Sequence, residues 1–104
     1  MSRFPINRFT KAPVEKLRKL NPGDKIVLLT FKKDRKVEIQ KKDEHIYDVM
    51  EDGFETKLFA DVEDIKLEKL LKQLQQVEFP RSNMFFLEVI SVVRDNLTQL
   101  KMQF

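Results

Sequence analysis

The amino-acid sequence predicts an α+β fold, in which one amphipathic helix packs on a face of an antiparallel β-meander of four to five strands. Two observations carry this prediction. Four short runs of strand-forming residues follow one another between residues 25 and 60, separated by turn residues. Residues 62–77 then repeat apolar side chains at helical spacing. The chain has 104 residues, so we expect a single domain spanning 1–104.

The first elements are an arm and a short helix. Residues 1–11 are polar and basic, with irregularly spaced apolar residues, which predicts a basic N-terminal arm. The stretch APVEKLRKLNPG predicts a short N-terminal helix, because Pro13 suits a first helical turn. The sequence Asn21, Pro22, Gly23 then ends that helix.

Four strands are predicted at residues 25–32, 35–41, 45–50 and 54–60. The first is apolar on both faces, as a central strand is. The second alternates apolar and polar residues, which is typical of a half-solvated strand. The strongest hairpin signal is Asp52 followed by Gly53, because glycine tolerates the positive φ that such turns require.

The amphipathic helix is predicted to be capped by Asp61 and to continue through residue 77. The last segment supports two interpretations. Its β-branched and aromatic residues predict a strand over 84–93 that rejoins the sheet and leaves 94–104 as a helical or frayed tail. Its apolar residues also recur at steps of four and three, the pattern of one long helix from Asn83. We favour the strand.

Charge divides the chain into two unlike halves. Residues 1–42 hold thirteen Lys and Arg against four Asp and Glu, a net charge of +9. Residues 43–104 hold seven against thirteen, a net charge of −6. The simplest interpretation is that the halves neutralise each other in the folded domain. The alternative is that the basic half binds a polyanion.

The sequence lacks the patterns of the common enzyme sites. There is no cysteine, and His45 is the single histidine, which argues against a zinc site. The two glycines are too far apart for a P-loop, and no nucleophile elbow surrounds a serine. We therefore expect no enzyme, no metal and no cofactor. An enzyme with His45 as general base is the least favoured alternative, and a pocket joining His45 to a buried carboxylate would revive it.

The basic residues suggest the leading functional hypothesis, which is nucleic-acid binding through the phosphate backbone. Phe4 and Phe9 each follow an arginine and are predicted to stack on bases, although such rings can instead pin an arm onto a core. Phe31 and Tyr47 would stack likewise if they faced solvent. The predicted phosphate contacts are Arg3, Arg8, Lys32, Lys33, Arg35, Lys36, Lys41 and Lys42.

The turn FPRSN, residues 79–83, also has two interpretations. Arg81, Ser82 and Asn83 present donors that an anion or a partner could contact. Alternatively, Pro80 ends the helix and the polar residues support the turn, which is the interpretation we favour.

The alternative function is protein–protein interaction. A sheet edge and an apolar tail would form an adaptor surface or pair two copies of the chain. No stretch is long and apolar enough to span a bilayer, and no apolar signal region follows the N-terminus, so we expect a cytoplasmic protein without membrane contact. The tail residues of this hypothesis are Val93, Leu97, Leu100 and Phe104.

Overall fold

The computed structural model describes residues 1–91, which form one antiparallel sheet of six strands with two α-helices. The strands are β1 (Ser2–Pro5), β2 (Lys25–Leu29), β3 (Lys36–Lys41), β4 (Ile46–Asp52), β5 (Thr56–Glu63) and β6 (Met84–Ile90). The helices are α1 (Ala12–Arg18) and α2 (Asp64–Glu78), with a 3₁₀ helix at Ile6–Arg8. The strand order is β1-β6-β2-β3-β4-β5. The predicted α+β fold is confirmed, with more strands than expected.

The predicted four-strand meander is confirmed as β2 to β5, in which each strand pairs antiparallel with the next. β2 lies between β3 and β6. Its two apolar faces suit this central place: Ile26 and Leu28 are fully buried on one face, and Val27 is buried on the other. The predicted turn at Asp52 and Gly53 connects β4 to β5.

The last described strand, β6, confirms the strand interpretation of the final segment. The long helix from Asn83 is therefore wrong over Met84–Ile90. α2 returns the chain from the β5 edge to the middle of the sheet, where β6 pairs with β2. The predicted tail, 94–104, lies outside the described residues, as do Val93, Leu97, Leu100 and Phe104.

Residues 1–11 do not form the expected arm. Ser2–Pro5 is an edge strand that pairs with β6, and the chain then turns through the 3₁₀ helix to bury Phe9 completely. The Phe4 ring stacks on Phe85 with 5.5 Å between the centroids. Full burial of a phenylalanine contributes about 1.5–3 kcal/mol, and for this segment the burial of Phe9 acts together with the partial burial of Phe4 and the hydrogen-bond ladder between β1 and β6.

The core lies on one face of the sheet, where both α-helices pack. Leu67, Leu71 and Leu74 of α2 and Leu17 of α1 are buried against the inward residues of the strands. Within residues 1–91, no helix packs on the opposite face, which we call the open face. This one-sided arrangement leaves the outward side chains of the strands available at the surface.

α2 begins later than predicted, because β5 continues to Glu63. Asp61, which we expected to cap the helix, lies within β5 in a left-handed conformation with φ of 55°. It belongs to a β-bulge opposite Asp48, whose carboxylate accepts a hydrogen bond from the Asp61 N–H at 3.0 Å. A bulge of this kind depends on the partner strand, so the spacing of apolar residues in the sequence does not predict it.

Lys41 is a buried lysine that caps the end of α1. Its side chain is 1 % exposed, and Nζ donates hydrogen bonds to the carbonyls of Leu17 at 3.0 Å and Leu20 at 2.9 Å. The last carbonyls of a helix have no full set of partners within the helix. The Leu17 carbonyl also accepts from the Leu20 N–H at 3.2 Å, and the ammonium adds a second donor there and donates to the Leu20 carbonyl just beyond the helix. The side chain is therefore structural.

Replacement of Lys41 by methionine should lower the free energy of unfolding by about 2 kcal/mol or more, because the helix carbonyls lose their donor. Lys42→Met is the matched control: this neighbouring side chain is 43 % exposed, and an exposed ion pair contributes about 0–1 kcal/mol. Urea denaturation measures both variants. If the free energy of unfolding falls equally in the two variants, the capping role of Lys41 is contradicted.

Candidate functional site

A row of side chains on the open face places a half-buried aromatic ring between cations. Antiparallel pairing sets Arg3 beside Phe86, Phe86 beside Leu29, and Leu29 beside Lys36. Directly paired residues of antiparallel strands point to the same face, so these four side chains cross the sheet in one line. The three aromatic or charged members of this row, together with two residues of the β2–β3 turn, form what we call the aromatic–basic patch: Arg3, Phe31, Lys33, Lys36 and Phe86.

Phe31 adds a second ring to the patch and is 66 % exposed. It stacks on Phe86 with 6.4 Å between the centroids and an interplanar angle of 21°. Lys33 Nζ lies 5.4 Å from the centroid of the Phe86 ring, within cation–π range. The arrangement offers an exposed aromatic face beside positive charge, which suits a planar ligand that carries negative charge.

The turn between β2 and β3 is held by its own hydrogen bonds. The Lys33 N–H donates to the Thr30 carbonyl at 3.0 Å, and the Thr30 hydroxyl donates to the Asp34 carboxylate at 2.8 Å, which lowers the pKa of Asp34. Lys33 has a left-handed φ of 60°. This conformation costs a lysine roughly 1–2 kcal/mol, whereas glycine adopts it freely. Residues with strained backbone conformations cluster at functional sites, so the left-handed φ of Lys33 makes its side chain a candidate functional group.

Next to the patch, a cavity of about 700 Å³ opens between the β2–β3 turn and the loop from α2 to β6. We call it the loop cavity. Lys32, Arg81 and Ser82 contribute polar groups to its lining, and Phe31, Pro80 and Met84 contribute apolar surface. Phe31 belongs both to this lining and to the aromatic–basic patch, so the two features are continuous.

The buried carboxylate of Glu78 joins three segments at this end of the molecule. It accepts hydrogen bonds from the backbone N–H groups of Phe54 at 2.7 Å and Glu55 at 3.1 Å. Arg35 donates to the Glu78 carbonyl at 3.3 Å, and its Nε lies 3.9 Å from the carboxylate. A Cβ at Gly53 would collide with the Glu78 carboxylate. Close approach, and not the positive φ that we expected, therefore explains this glycine.

Glu51 forms a buried carboxyl pair with Glu78. Burial and the hydrogen bond and charge of Glu78 raise the pKa of Glu51 to about 7. Burial opposes ionisation of Glu78 as well, but hydrogen bonds from Glu51 and from two backbone N–H groups lower the pKa of Glu78. Oε2 of Glu51 is buried without a hydrogen-bond partner among residues 1–91. At mildly acidic pH the pair therefore carries one proton, on Glu51.

The phenylalanines predicted to stack on bases are core residues. Phe9 is fully buried and packs against two other phenylalanines, at 4.7 and 5.1 Å between centroids. Phe4 packs against the same core cluster. The stacking prediction is wrong for Phe9, and the alternative, in which these rings pin the N-terminal segment, fits both. Tyr47 is buried as well, whereas Phe31 faces solvent.

The predicted phosphate contacts are divided between the two ends of the sheet and the interior. The prediction is wrong for Lys41, whose ammonium is buried beneath α1. Lys42 lies just after β3, remote from the β2–β3 turn, and pairs with Asp61 at 2.5 Å. Arg8 pairs with Glu15. The remaining predicted contacts lie around the patch and the loop cavity: Arg3, Lys32, Lys33, Arg35 and Lys36.

Ion pairs also connect the basic and acidic halves of the chain. Lys11 pairs with Glu68 of α2, and Lys36 lies 3.9 Å from Asp52. Together with the Lys42 pairs, these contacts support the interpretation that the two halves partly neutralise each other. Lys32, Lys33 and Arg81 form no ion pair within residues 1–91, so positive charge without an ionic partner lies near the loop cavity, as it also does along α1 and α2.

His45 lies beside a second cavity, of about 400 Å³. Its Nδ1 is 2.8 Å from the carboxylate of Asp64 at the start of α2. The His45 side chain is 78 % exposed and that of Asp64 is 41 % exposed. The carboxylate beside His45 is therefore not the buried carboxylate that would revive the enzyme hypothesis.

Residues 1–91 contain no group of three or more His, Cys, Asp or Glu side chains arranged to hold a metal ion. Among the same residues, no helix is long and apolar enough to cross a membrane. No protein-family model, curated protein or solved structure matches this chain.

Phe86 is a surface residue that the charge pattern of the sequence does not predict. A signal was present: in the strand MFFLEVI, Phe86 alternates with Phe85 and Leu87 and shares a face with the charged Glu88. The sequence permits Arg81 as an anion contact but favours a purely structural interpretation of its turn. Nothing in the sequence indicated that this turn lies beside the β2–β3 turn.

Glu51→Gln should remove a pH dependence of stability. The folded-state pKa of Glu51 is raised, so the wild-type free energy of unfolding should fall as pH rises from about 4.5 to about 7. The variant should lack this decline and gain on the order of 2 kcal/mol relative to wild type between pH 5 and pH 8. Urea denaturation at both pH values measures the difference.

Glu88→Gln is the control for this experiment, because it neutralises an exposed glutamate of β6. Its stability should follow the wild-type pH dependence. If Glu51→Gln also follows the wild-type curve between pH 5 and pH 8, the raised pKa of Glu51 is refuted.

Proposed function

We propose that this protein is a non-enzymatic binding protein for single-stranded nucleic acid and that it uses the aromatic–basic patch. The observation that carries the proposal is the 66 % exposed ring of Phe31, stacked on Phe86 with the Lys33 ammonium above the Phe86 ring. Single-stranded nucleic acids are bound by such aromatic surfaces, on which unpaired bases stack, together with cations that contact the backbone.

The position of the cations supports this proposal. Arg3 and Lys36 lie on either side of the rings in the row across the sheet, and Lys32 extends the positive charge toward the loop cavity. A strand running across the open face would meet a cation before and after the stacked bases. The absence of cysteine also supports our proposal that the protein acts in the cytoplasm.

Phe31→Ala should weaken binding of single-stranded oligonucleotides by about tenfold, because one base–aromatic stack contributes about 1–3 kcal/mol. Lys33→Ala should reduce the slope of log affinity against log salt by about 0.7 for one lost phosphate contact. Fluorescence anisotropy with labelled single-stranded and duplex oligonucleotides, all with 5′-hydroxyl ends, at low and physiological salt measures both effects.

Phe54→Ala is the matched control, because this ring is 73 % exposed and lies on the β4–β5 turn outside the patch. Its affinity should equal that of wild type. Binding that is absent at low salt, or that Phe31→Ala and Phe54→Ala weaken equally, would refute the role of the patch.

A second candidate function is self-association or partner binding along β5. This strand has eight residues, and no strand among residues 1–91 pairs with its outer edge. Leu58 of β5 is 60 % exposed on the open face. Exposed edges of this kind add strands from other chains, although charged residues and bulges oppose it, as Lys57 and the bulge at Asp61 would here.

If β5 is an interface between two copies, light scattering coupled to size exclusion should give a dimer mass, and Leu58→Lys should restore the monomer mass. Thr56→Lys, at the start of the same strand, controls for added charge at a residue without exposed apolar surface. A monomer at high protein concentration would exclude the homodimer and leave a different protein as the partner of this edge.

A further inference from the structure

The loop cavity has the size and lining of a site for one small ligand. Its volume of about 700 Å³ falls within the range of about 300–1,000 Å³ that is typical of small-molecule sites. Its walls come from two loops that are distant in the sequence, residues 30–35 and 78–84. Arg35 donates to the carbonyl of Glu78 at 3.3 Å and ties the two loops together, so the walls are joined before any ligand arrives.

The polar lining of the cavity favours an anion. Lys32 and Arg81 are exposed and form no ion pair within residues 1–91, while Ser82 adds a hydroxyl donor. The two carboxylates of the lining already have donors. Asp34 accepts from the Thr30 hydroxyl, and Glu78 accepts from two backbone N–H groups. Two cations therefore remain to meet a negatively charged group.

The apolar lining favours a planar ring beside that anion. Phe31, Pro80 and Met84 line the same space, and the exposed face of Phe31 provides a surface on which a ring can stack. A ligand that satisfies both parts of the lining must carry an anionic group and an aromatic ring within one small molecule. Arg81 and Lys32 suit a phosphate in particular, because a guanidinium binds phosphate oxygens in a bidentate manner and a lysine adds a point charge.

We propose that the loop cavity binds a nucleoside phosphate, with the base on Phe31 and the phosphate between Arg81 and Lys32. This inference deepens the proposed function and rests on it in one respect, since Phe31 is shared with the aromatic–basic patch. The nucleoside phosphate is either a free mononucleotide or the phosphorylated end of a nucleic-acid strand whose other bases cross the open face. Arg81 belongs to the cavity and lies outside the patch, so it separates the two proposals.

Calorimetric titration with adenosine 5′-monophosphate, adenosine and inorganic phosphate tests the free nucleotide. Anisotropy with oligonucleotides of one sequence, carrying either a hydroxyl or a phosphate at the 5′ or 3′ end, tests the strand end. Either the monophosphate should bind about tenfold more tightly than adenosine, or one phosphorylated end should raise oligonucleotide affinity about tenfold. The first result identifies a free nucleotide as the ligand, and the second identifies a strand end.

Arg81→Ala should remove that phosphate-dependent gain and leave the affinity for the hydroxyl-ended oligonucleotide unchanged. Lys66→Ala, which removes an exposed cation of α2 remote from the cavity lining, is the control and should leave both affinities unchanged. Thermal unfolding followed by circular dichroism verifies that the variants are folded. Lys32→Ala provides a second, independent removal of a phosphate contact and should reduce the same gain.

The outcomes separate the two proposals. If hydroxyl-ended oligonucleotides bind through Phe31 but phosphate adds nothing, the cavity inference is overturned and the proposed function remains. If no oligonucleotide binds but the monophosphate binds in an Arg81-dependent manner, the cavity inference remains and the proposed function fails. Absence of all binding, or a phosphate-dependent gain that survives Arg81→Ala, overturns the cavity inference.

Discussion

The carboxylate of Glu78 is the constraint on which the end of the molecule with the candidate site depends. It lies at the last turn of α2, receives hydrogen bonds from the β4–β5 turn, and shares its surroundings with Arg35 of the β2–β3 turn. Buried carboxylates are costly unless they are fully hydrogen-bonded, so the segments around Glu78 must keep their relative positions. Gly53 allows the close approach, and the loop cavity is formed between segments that Glu78 holds.

The one-sided core determines which strand side chains lie at the surface, where the proposed ligands would bind. Both α-helices and the buried phenylalanines occupy one face of the sheet, so within residues 1–91 the outward side chains of the central strands stay accessible. Among these side chains, pairing register brings Arg3, Phe86 and Lys36 into one row, although the first and second are far apart in the chain. Part of the unpaired positive charge of the N-terminal half, that of Lys32 and Lys33, lies at the same end of the sheet as this row.

Two residues that we predicted to contact nucleic acid, Phe9 and Lys41, lie in the interior, each for a physical reason. A phenylalanine beside an arginine is equally suited to stacking on a base and to filling a core, and Phe9 fills the core, where it packs against Phe79 and Phe85. A lysine beside another lysine looks like surface charge, yet Lys41 points inward because the end of α1 leaves carbonyls that need a donor. Alternation along β3 places Lys41 on the face of Val37 and Ile39, which is a sequence signal that the charge pattern obscured.

Local patterns in the sequence by themselves determined the α+β class, the strands of the meander, α1 and the existence of α2 and β6, because apolar periodicity and turn residues act over a few neighbouring positions. The tertiary structure decided that residues 2–5 form a strand, that Asp61 lies in a bulge and that Gly53 faces a carboxylate, because each depends on a partner distant in the chain. The tertiary structure also determined which residues come together in the candidate site. The sequence supplied the cations, but only the strand register and the contact between two distant loops place Phe31, Phe86 and Arg81 beside them.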